Sequence, residues 1–160
     1  MTKEQYRAAY DNAKPDELGI ISREIAKQQI LTGVMRGYLA YDREKAIGWC
    51  NVNDRAFYPQ DSQYDTPFHA SADKKEKAIV CFEIAPTHRM KGVATALLQR
   101  AMEDAKEEGY CAIEGYPVIR QQRFEWDHAG PLRLYEKNGF TIHSQKDESI
   151  VMRKELSFPA

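Results

Sequence analysis

The sequence predicts an α/β fold, in which a mixed, mostly antiparallel sheet is flanked by helices to form a sandwich. Two observations lead to this fold class. Helical patterns occupy the N-terminal region, and the rest of the chain follows the order hairpin, strand, helix, strand, helix, hairpin. Such an order is typical of one sheet with helices packed on it. At 160 residues, the chain is expected to form a single domain, residues 1–160.

The N-terminal region is expected to contain two helices. Residues 2–34 have a helical pattern, and Lys14-Pro15-Asp16 separates the first helix from the second because proline interrupts a helix. The second helix is predicted over residues 23–31, with Ser22 as its N-cap.

A hairpin and a loop are expected next. Gly37–Asp42 and residues 46–51 alternate or run apolar around a charged turn, which predicts two antiparallel strands. Residues 54–77 are polar, contain proline and lack any period. They are therefore predicted to form a long loop, and loops of that length are usually functional or mobile.

The most regular helical pattern of the chain covers Val93–Glu107. Its apolar residues recur at helical spacing, its charged residues point elsewhere, and Gly109 is expected to end it. Apolar strands are predicted before it, over residues 79–85, and after it, over residues 111–117. A short helix and two strands within residues 140–155 complete the expected fold.

The composition argues against several classes of function. A formal charge of −1 argues against nucleic acid as a partner, because binding a phosphate backbone requires a clustered cationic surface. No stretch has the apolar length of a membrane span or the core of a signal peptide, so a cytoplasmic protein without a membrane partner is expected. Cys50, Cys81 and Cys111 are predicted to be reduced core thiols, with neither a disulfide framework nor a metal site.

The turn between the apolar strand and the long helix is predicted to bind an anion. A helix N-terminus leaves its first N–H groups unpaired and carries a partial positive charge. Gly92 allows a positive φ or a close approach to a ligand. Arg89 and Lys91 add positive charge, and Thr95 adds a hydroxyl on the first helical turn.

This turn resembles the coenzyme A pyrophosphate loop of the GNAT superfamily of acyl-CoA-dependent N-acyltransferases. The family pattern, Gln/Arg-x-x-Gly-x-Gly/Ala, is matched by Arg89, Gly92 and Ala94. Residues 134–140, Leu-Tyr-Glu-Lys-Asn-Gly-Phe, resemble the family's second signature, a short helix that carries a tyrosine and ends at Gly-Phe before a strand. Both signatures stand in the family's order, and the resemblance covers residues 37–156. Family members usually open with a strand, and none is visible ahead of Thr2. Three alternatives stay open: the strand has been lost, this sequence begins after it, or another chain supplies it.

The resemblance implies acetyl-CoA as the co-substrate, bound mainly by backbone. Ile84 and Ala85 are expected to present backbone groups to the pantetheine arm. Backbone N–H groups after Arg89 are expected to bind the pyrophosphate, and they belong to Met90, Lys91, Gly92, Val93, Ala94 and Thr95.

In the family, an amine attacks the thioester directly, so the amine loses a proton and the leaving thiolate gains one. The resemblance implies that Tyr135 is the general acid, since a phenol stays protonated at neutral pH. Glu83, a carboxylate within an apolar strand, and Glu114, on the next strand, are alternative general bases, and water is a third alternative. Trp49 and His128 are candidates for binding the acceptor, and each could instead be structural.

The predicted function is therefore an N-acetyltransferase that moves acetyl from acetyl-CoA to a primary amine on a small molecule or a peptide. Two alternatives stay open. A non-catalytic acyl-CoA-binding module would keep the loop without needing Tyr135. An oligomeric interaction domain is the second alternative, and the sequence leaves a homodimer open.

Overall fold

The computed structural model describes residue 8 and residues 11–58, 74–119, 128–146 and 148–156. The chain divides into two compact units, Met1–Arg36 and Gly37–Ala160. The single domain expected from the sequence stays a prediction. Among the described residues, no helix combines the length and the apolar character that crossing a membrane requires.

The described part of the N-terminal unit contains one helix, α1, Leu18–Leu31. The helix begins at Leu18 and not at the predicted residue 23, and its N-cap is Glu17 instead of Ser22. The Ser22 hydroxyl lies inside the helix and donates to the Leu18 carbonyl at 2.8 Å, a bond that serine also forms within helices. The first predicted helix and the predicted absence of a first strand concern residues that lie mostly outside the described ones.

The described part of the second unit is built around one sheet with two α-helices. Its described strands are β1 Gly37–Asp42, β2 Lys45–Asp54, β3 Glu76–Ile84, β4 Ala112–Gly115, β5 Thr141–Lys146 and β6 Ser149–Glu155. Its helices are α2 Val93–Glu107 and α3 Leu132–Lys137, and Arg55–Phe57 and Pro86–His88 form short 3-10 helices. The strand order is β1-β2-β3-β4-β6-β5, in which only β3 and β4 are parallel. The predicted mixed, mostly antiparallel sheet with flanking helices is confirmed.

Helix α2 connects the two parallel strands and packs on the sheet through its apolar face. Leu97, Leu98, Ala101 and Ala105 are buried, at the helical spacing that the sequence predicts. Burying a leucine stabilises a fold by about 1.5–3 kcal/mol, so this face fixes the helix on the sheet. Close packing also needs Gly48 on β2, since a Cβ there would lie 2.9 Å from Cγ1 of Val93.

Strand β3 begins within the predicted loop, at Glu76, so the loop prediction is wrong at its end. Glu76 and Lys77 are both buried. Glu76 accepts from Arg55 at 2.8 Å, and Lys77 lies 2.8 Å from a carboxylate oxygen of Glu108. These partners are distant in sequence, so a local reading could not show that the two charges are neutralised inside the fold. Residues 59–73 of the predicted loop lie outside the described residues.

The parallel strands separate partway along β3. The last paired residues are Ile79 and Gly115. The pairing of β3 with β2 then shifts register, so that Val80 has no partner on β2. Such an extra residue is a β-bulge, and bulges bend the strand that carries them. Beyond the bulge, the Phe82 N–H donates to the carbonyl of His128 at 2.6 Å instead of to β4. The sheet therefore opens between β3 and β4.

Candidate functional site

A cavity of about 730 Å³ lies where the parallel strands have separated. Crevices at the carboxyl ends of parallel strands are the usual ligand sites of α/β folds. The walls come from the end of β3, the turn before α2, the first part of α2, and α3 with the residues before it. The lining residues are Phe82, Glu83, Ile84, His88, Arg89, Met90, Gly92, Val93, Ala94, Thr95, Gln99, His128, Gly130, Pro131, Arg133, Leu134, Lys137 and Asn138.

The turn before α2 has the backbone shape that an anion site needs. Met90 has a φ of 59° and Gly92 a φ of 83°, and Gly92 is the N-cap of α2. A Cβ on Gly92 would meet nothing within 4 Å, so this position favours glycine because of its backbone angle and not because of space. The N–H groups of Val93 to Thr95 have no acceptor within the helix, since the residues before them are not helical.

The predicted cofactor residues differ in what they offer at this turn. Met90 is 99% exposed and lines the cavity with Ala94 and Thr95, whereas Lys91 is exposed and is not among the lining residues. Val93 also packs against the core, in agreement with its place in the apolar pattern of the helix.

Arg89 connects the turn to the end of β3 through a hydrogen bond. Its Nε donates to the carbonyl of Ile84 at 3.1 Å. The Ala85 N–H already donates to the carbonyl of Ile47 at 2.9 Å. By the alternation of a strand, the Ile84 N–H points to the same edge as the Phe82 N–H, which is the edge that β4 has left. Ile84 therefore has a donor aimed at the opening, and Ala85 does not.

The charged lining of the cavity favours an anion. Arg89, Arg133 and Lys137 contribute cationic groups, and Glu83 is the single acidic residue among the described lining residues. Arg133 and Lys137 lie four residues apart, so they share one face of α3. The sequence reading missed both, although their spacing on a helix next to the second signature was a usable signal.

Glu83 and His128 meet at the edge of the cavity. Nδ1 of His128 contacts Oε1 of Glu83, and their side chains are 38% and 51% exposed, respectively. The carbonyl of His128 is bound by the Phe82 N–H, which fixes its backbone against β3. Because a carboxylate only accepts, Nδ1 of His128 carries the proton, which leaves Nε2 as an acceptor when the ring is neutral.

Trp49 lies directly opposite Glu83 across the β2–β3 pair, so the two side chains share one face of the sheet. Trp49 lines a second, smaller cavity of about 290 Å³. Glu83, Ile84 and Arg89 line both cavities, and Ala85 lines the smaller one. The two predicted acceptor residues, Trp49 and His128, thus lie on either side of Glu83.

Glu114 belongs to a buried ion cluster and not to the cavity lining. Its carboxylate lies 2.7 Å from Nη1 of Arg153 and 3.3 Å from Nη1 of Arg55, and only 1% of its side chain is exposed. The Tyr116 hydroxyl donates to it at 3.0 Å. Burial, together with the charge of Glu114, raises the pKa of Tyr116 well above its usual value. Glu76 is the second carboxylate of the cluster, 2.8 Å from each arginine.

Tyr135 is fully buried in the core beneath the cavity. Its hydroxyl donates to the carbonyl of Ala129 at 2.7 Å, and its ring packs edge-on against Phe82 and Phe140. Burial raises the pKa of Tyr135 well above its usual value. Gly115 makes the room for it, because a Cβ there would lie 2.1 Å from Cε1 of the ring. Tyr135 is not among the residues that line the cavity.

Known structures share this fold at low sequence identity. A GNAT-family protein from Desulfovibrio desulfuricans has a TM-score of 0.61 at 15% identity, covering 96% of this chain and 89% of that chain. PaiA N-acetyltransferase from Thermoplasma acidophilum, solved with coenzyme A, has a TM-score of 0.56 at 15% identity, covering 92% and 82%. The structure of yncA from Salmonella typhimurium, solved with acetyl-CoA, has a TM-score of 0.57 at 16% identity, covering 88% of this chain and 76% of that chain. A comparison with curated protein sequences gives no match.

A helix N-terminus facing a cationic crevice between two separating parallel strands defines a class of α/β proteins that bind an anionic ligand largely through backbone groups. This chain has both features, the helix N-terminus and the cationic crevice. The profile of the acetyltransferase (GNAT) family matches residues 2–140, and the chain belongs to this family.

Proposed function

We propose that this protein is an N-acetyltransferase that moves the acetyl group of acetyl-CoA directly to a primary amine. One observation carries the proposal: the turn before α2 and the Glu83–His128 pair border the same cavity. An anion-binding backbone and a group that can accept a proton are thus within one crevice. Family membership supports acetyl transfer, and the amine acceptor is part of the proposal.

The residues around the turn fit coenzyme A. The first N–H groups of α2 suit the pyrophosphate, and Arg89, Arg133 and Lys137 match its negative charge. The Ile84 N–H is available to the pantetheine arm. When bound, acetyl-CoA supplies an acetyl group activated as a thioester. The volume of about 730 Å³ lies within the range of known small-molecule sites.

The Glu83–His128 pair is proposed to receive the proton of the attacking amine. Glu83 orients the imidazole through its contact with Nδ1, while Nε2 of His128 is the accepting atom. This assignment makes His128 the base and Glu83 its partner. Trp49, beside Glu83, would add an aromatic face that attracts the ammonium form of an incoming amine.

Glu83 is preferred to Glu114 as the functional carboxylate. Glu114 has two arginine partners and a tyrosine donor inside the fold, so its carboxylate is already neutralised and hydrogen-bonded within the protein. Glu83 is half exposed and lines the cavity.

Tyr135 as the general acid stays a prediction from the family resemblance. In that role, its hydroxyl would exchange the Ala129 carbonyl for the leaving thiolate. Full turnover in Tyr135→Phe, with unchanged affinity for coenzyme A, would remove the assignment.

A kinetic comparison tests the proposal. The full chain is assayed for release of free coenzyme A against a panel of polyamines, amino sugars and peptides with free N-termini. With an active acceptor, His128→Gln and Glu83→Gln are expected to lower kcat by about 10²-fold or more, with little change in the KM for acetyl-CoA. His143→Gln, an exposed histidine on β5, is the matched control and keeps the wild-type rate.

The second candidate is a non-catalytic acyl-CoA-binding module, favoured by the burial of Tyr135. It predicts binding of acetyl-CoA with no turnover for any amine. Acetyl transfer that depends on His128 excludes it.

A further inference from the structure

A cysteine lies beside the Glu83–His128 pair. Cys81 and Glu83 are two residues apart on β3, so their side chains point to the same face. One donor atom from each of Cys81, Glu83 and His128 lies within 4.8 Å of the other two. Among the described residues, no other set of three or more histidine, cysteine and acidic side chains comes this close together.

We propose that Cys81, Glu83 and His128 form a binding site for Zn²⁺. Sulfur, carboxylate oxygen and imidazole nitrogen are the donors that zinc takes in proteins, with a preference for four ligands in a tetrahedron. Three protein ligands leave the fourth position open, and two of them, Glu83 and His128, line the cavity. A thiolate and a carboxylate together balance the two positive charges of the ion.

The backbone already holds the three positions together. Cys81 and Glu83 belong to a paired strand, and His128 is bound to that strand through the 2.6 Å hydrogen bond from Phe82 to its carbonyl. The backbone positions therefore keep the three donor atoms within 4.8 Å of one another before any ion binds. Such preorganisation lowers the cost of binding.

The surroundings allow a cation to enter. Cys81 is half-buried, and the other two side chains are partly exposed. Arg89 lines the cavity next to Glu83, and its Nε donates to the carbonyl of Ile84. Burial and, after it, the charge of Glu83 raise the pKa of the Cys81 thiol to about 11. Zinc binding would release the thiol proton, because the thiolate is the form that ligates the metal.

Zinc at this site would hold the side chains of Glu83 and His128 as ligands, and the proposed function needs both of them for proton transfer. Inhibition of acetyl transfer by zinc is the expected consequence, and it rests on the proposed function. Zinc binding itself stands on the geometry of the three side chains.

Cobalt titration of the EDTA-treated full chain tests the site, because Co²⁺ bound to a thiolate gains a sulfur-to-metal charge-transfer absorption. The wild-type protein is expected to show this band and to lose it when ZnCl₂ is added. Cys81→Ser should lack the band, and Cys81→Ser, His128→Gln and Glu83→Gln should each weaken zinc binding more than about tenfold. Cys111→Ser and His143→Gln are the matched controls and should bind zinc as the wild type does.

Absence of the band from folded wild-type protein would overturn the site. Equal loss of the band in Cys111→Ser and Cys81→Ser would overturn it as well, as would unchanged zinc affinity in His128→Gln. The measurement needs no acetyl-CoA. A failure to bind metal therefore leaves the proposed acetyl transfer standing, and a failure of acetyl transfer leaves the metal site standing.

Discussion

Tyr135 shows how one residue links the core to the site. The sequence marked it through the family signature, while its surroundings depend on Gly115, a residue that the sequence reading passed over. The phenol fills the space that a Cβ at Gly115 would take, and its hydroxyl ends on the Ala129 carbonyl. The residue therefore stabilises the core whether or not it also donates a proton.

Tyr135→Phe should change stability in a pH-dependent way. Near pH 7, loss of the hydrogen bond to Ala129 should lower the free energy of unfolding by about 0.5–1.5 kcal/mol. Because burial raises the pKa of the phenol, the folded state keeps it neutral where the unfolded state ionises. Its contribution is complete below about pH 10 and is lost as the pH rises further, by about 1.4 kcal/mol per pH unit.

Tyr135→Phe has no phenol to ionise at this position, so it does not lose this contribution at alkaline pH. The difference in the free energy of unfolding between wild type and Tyr135→Phe should therefore shrink or reverse from pH 10 to pH 11. Urea denaturation of both proteins at these two pH values measures the difference. An identical alkaline slope in the two proteins would show that the phenol is not shielded in the folded state.

Substitution of Glu114 is expected to lower the stability of the fold, whereas substitution of Glu83 is expected to lower turnover. Glu114→Gln leaves a buried arginine pair with one carboxylate fewer, so the free energy of unfolding should fall by about 3 kcal/mol. Glu155→Gln is the matched control, because Glu155 also contacts Arg153 but is 71% exposed, and it should cost less than about 1 kcal/mol. A loss of turnover in folded Glu114→Gln, without a loss of stability, would restore Glu114 as the base.

At the scale of elements, the site depends on where β3 leaves β4 and where α2 starts. The sequence predicted α2 well, because its helical period lies between two glycines and needs no distant partner. It predicted the start of β3 poorly, since Glu76 is stabilised by Arg55 and Arg153, far away along the chain. The β-bulge at Val80, which opens the sheet, left no local pattern either.

Helix α2 packs on β2 through a close contact between Val93 and Gly48, and this contact should be measurable as a coupling between the two residues. Gly48→Ala would place a Cβ 2.9 Å from Cγ1 of Val93, and overpacking of this kind costs about 1–3 kcal/mol. Val93→Ala removes the clashing methyl groups, so the double variant should be more stable than the sum of the two single changes predicts. A thermal or urea denaturation cycle measures the coupling, and strict additivity would contradict the contact.

At the scale of the whole molecule, the sequence predicted the fold class and the turn that leads into α2, because both follow from local patterns in order along the chain. It could not pair His128 with Glu83, since a β-strand and a distant segment meet only in the folded protein. Arg133 and Lys137, which line the same cavity as the turn, could have been found from their spacing on the short helix. Motifs therefore pointed to the candidate site, and long-range packing decided which side chains line its cavity.

The central claim is that the turn before α2 binds acetyl-CoA through its backbone, and calorimetric titration of the full chain with acetyl-CoA and with free coenzyme A tests it most directly. Micromolar binding is predicted for the wild type. Gly92→Val should abolish it, because a β-branched residue at a φ of 83° distorts the turn. Gly109→Val is the matched control at the other end of α2, with a φ of 76° and equally open space, and it should keep the affinity. Absence of binding to folded wild-type protein, or equal loss in both variants, would contradict the account.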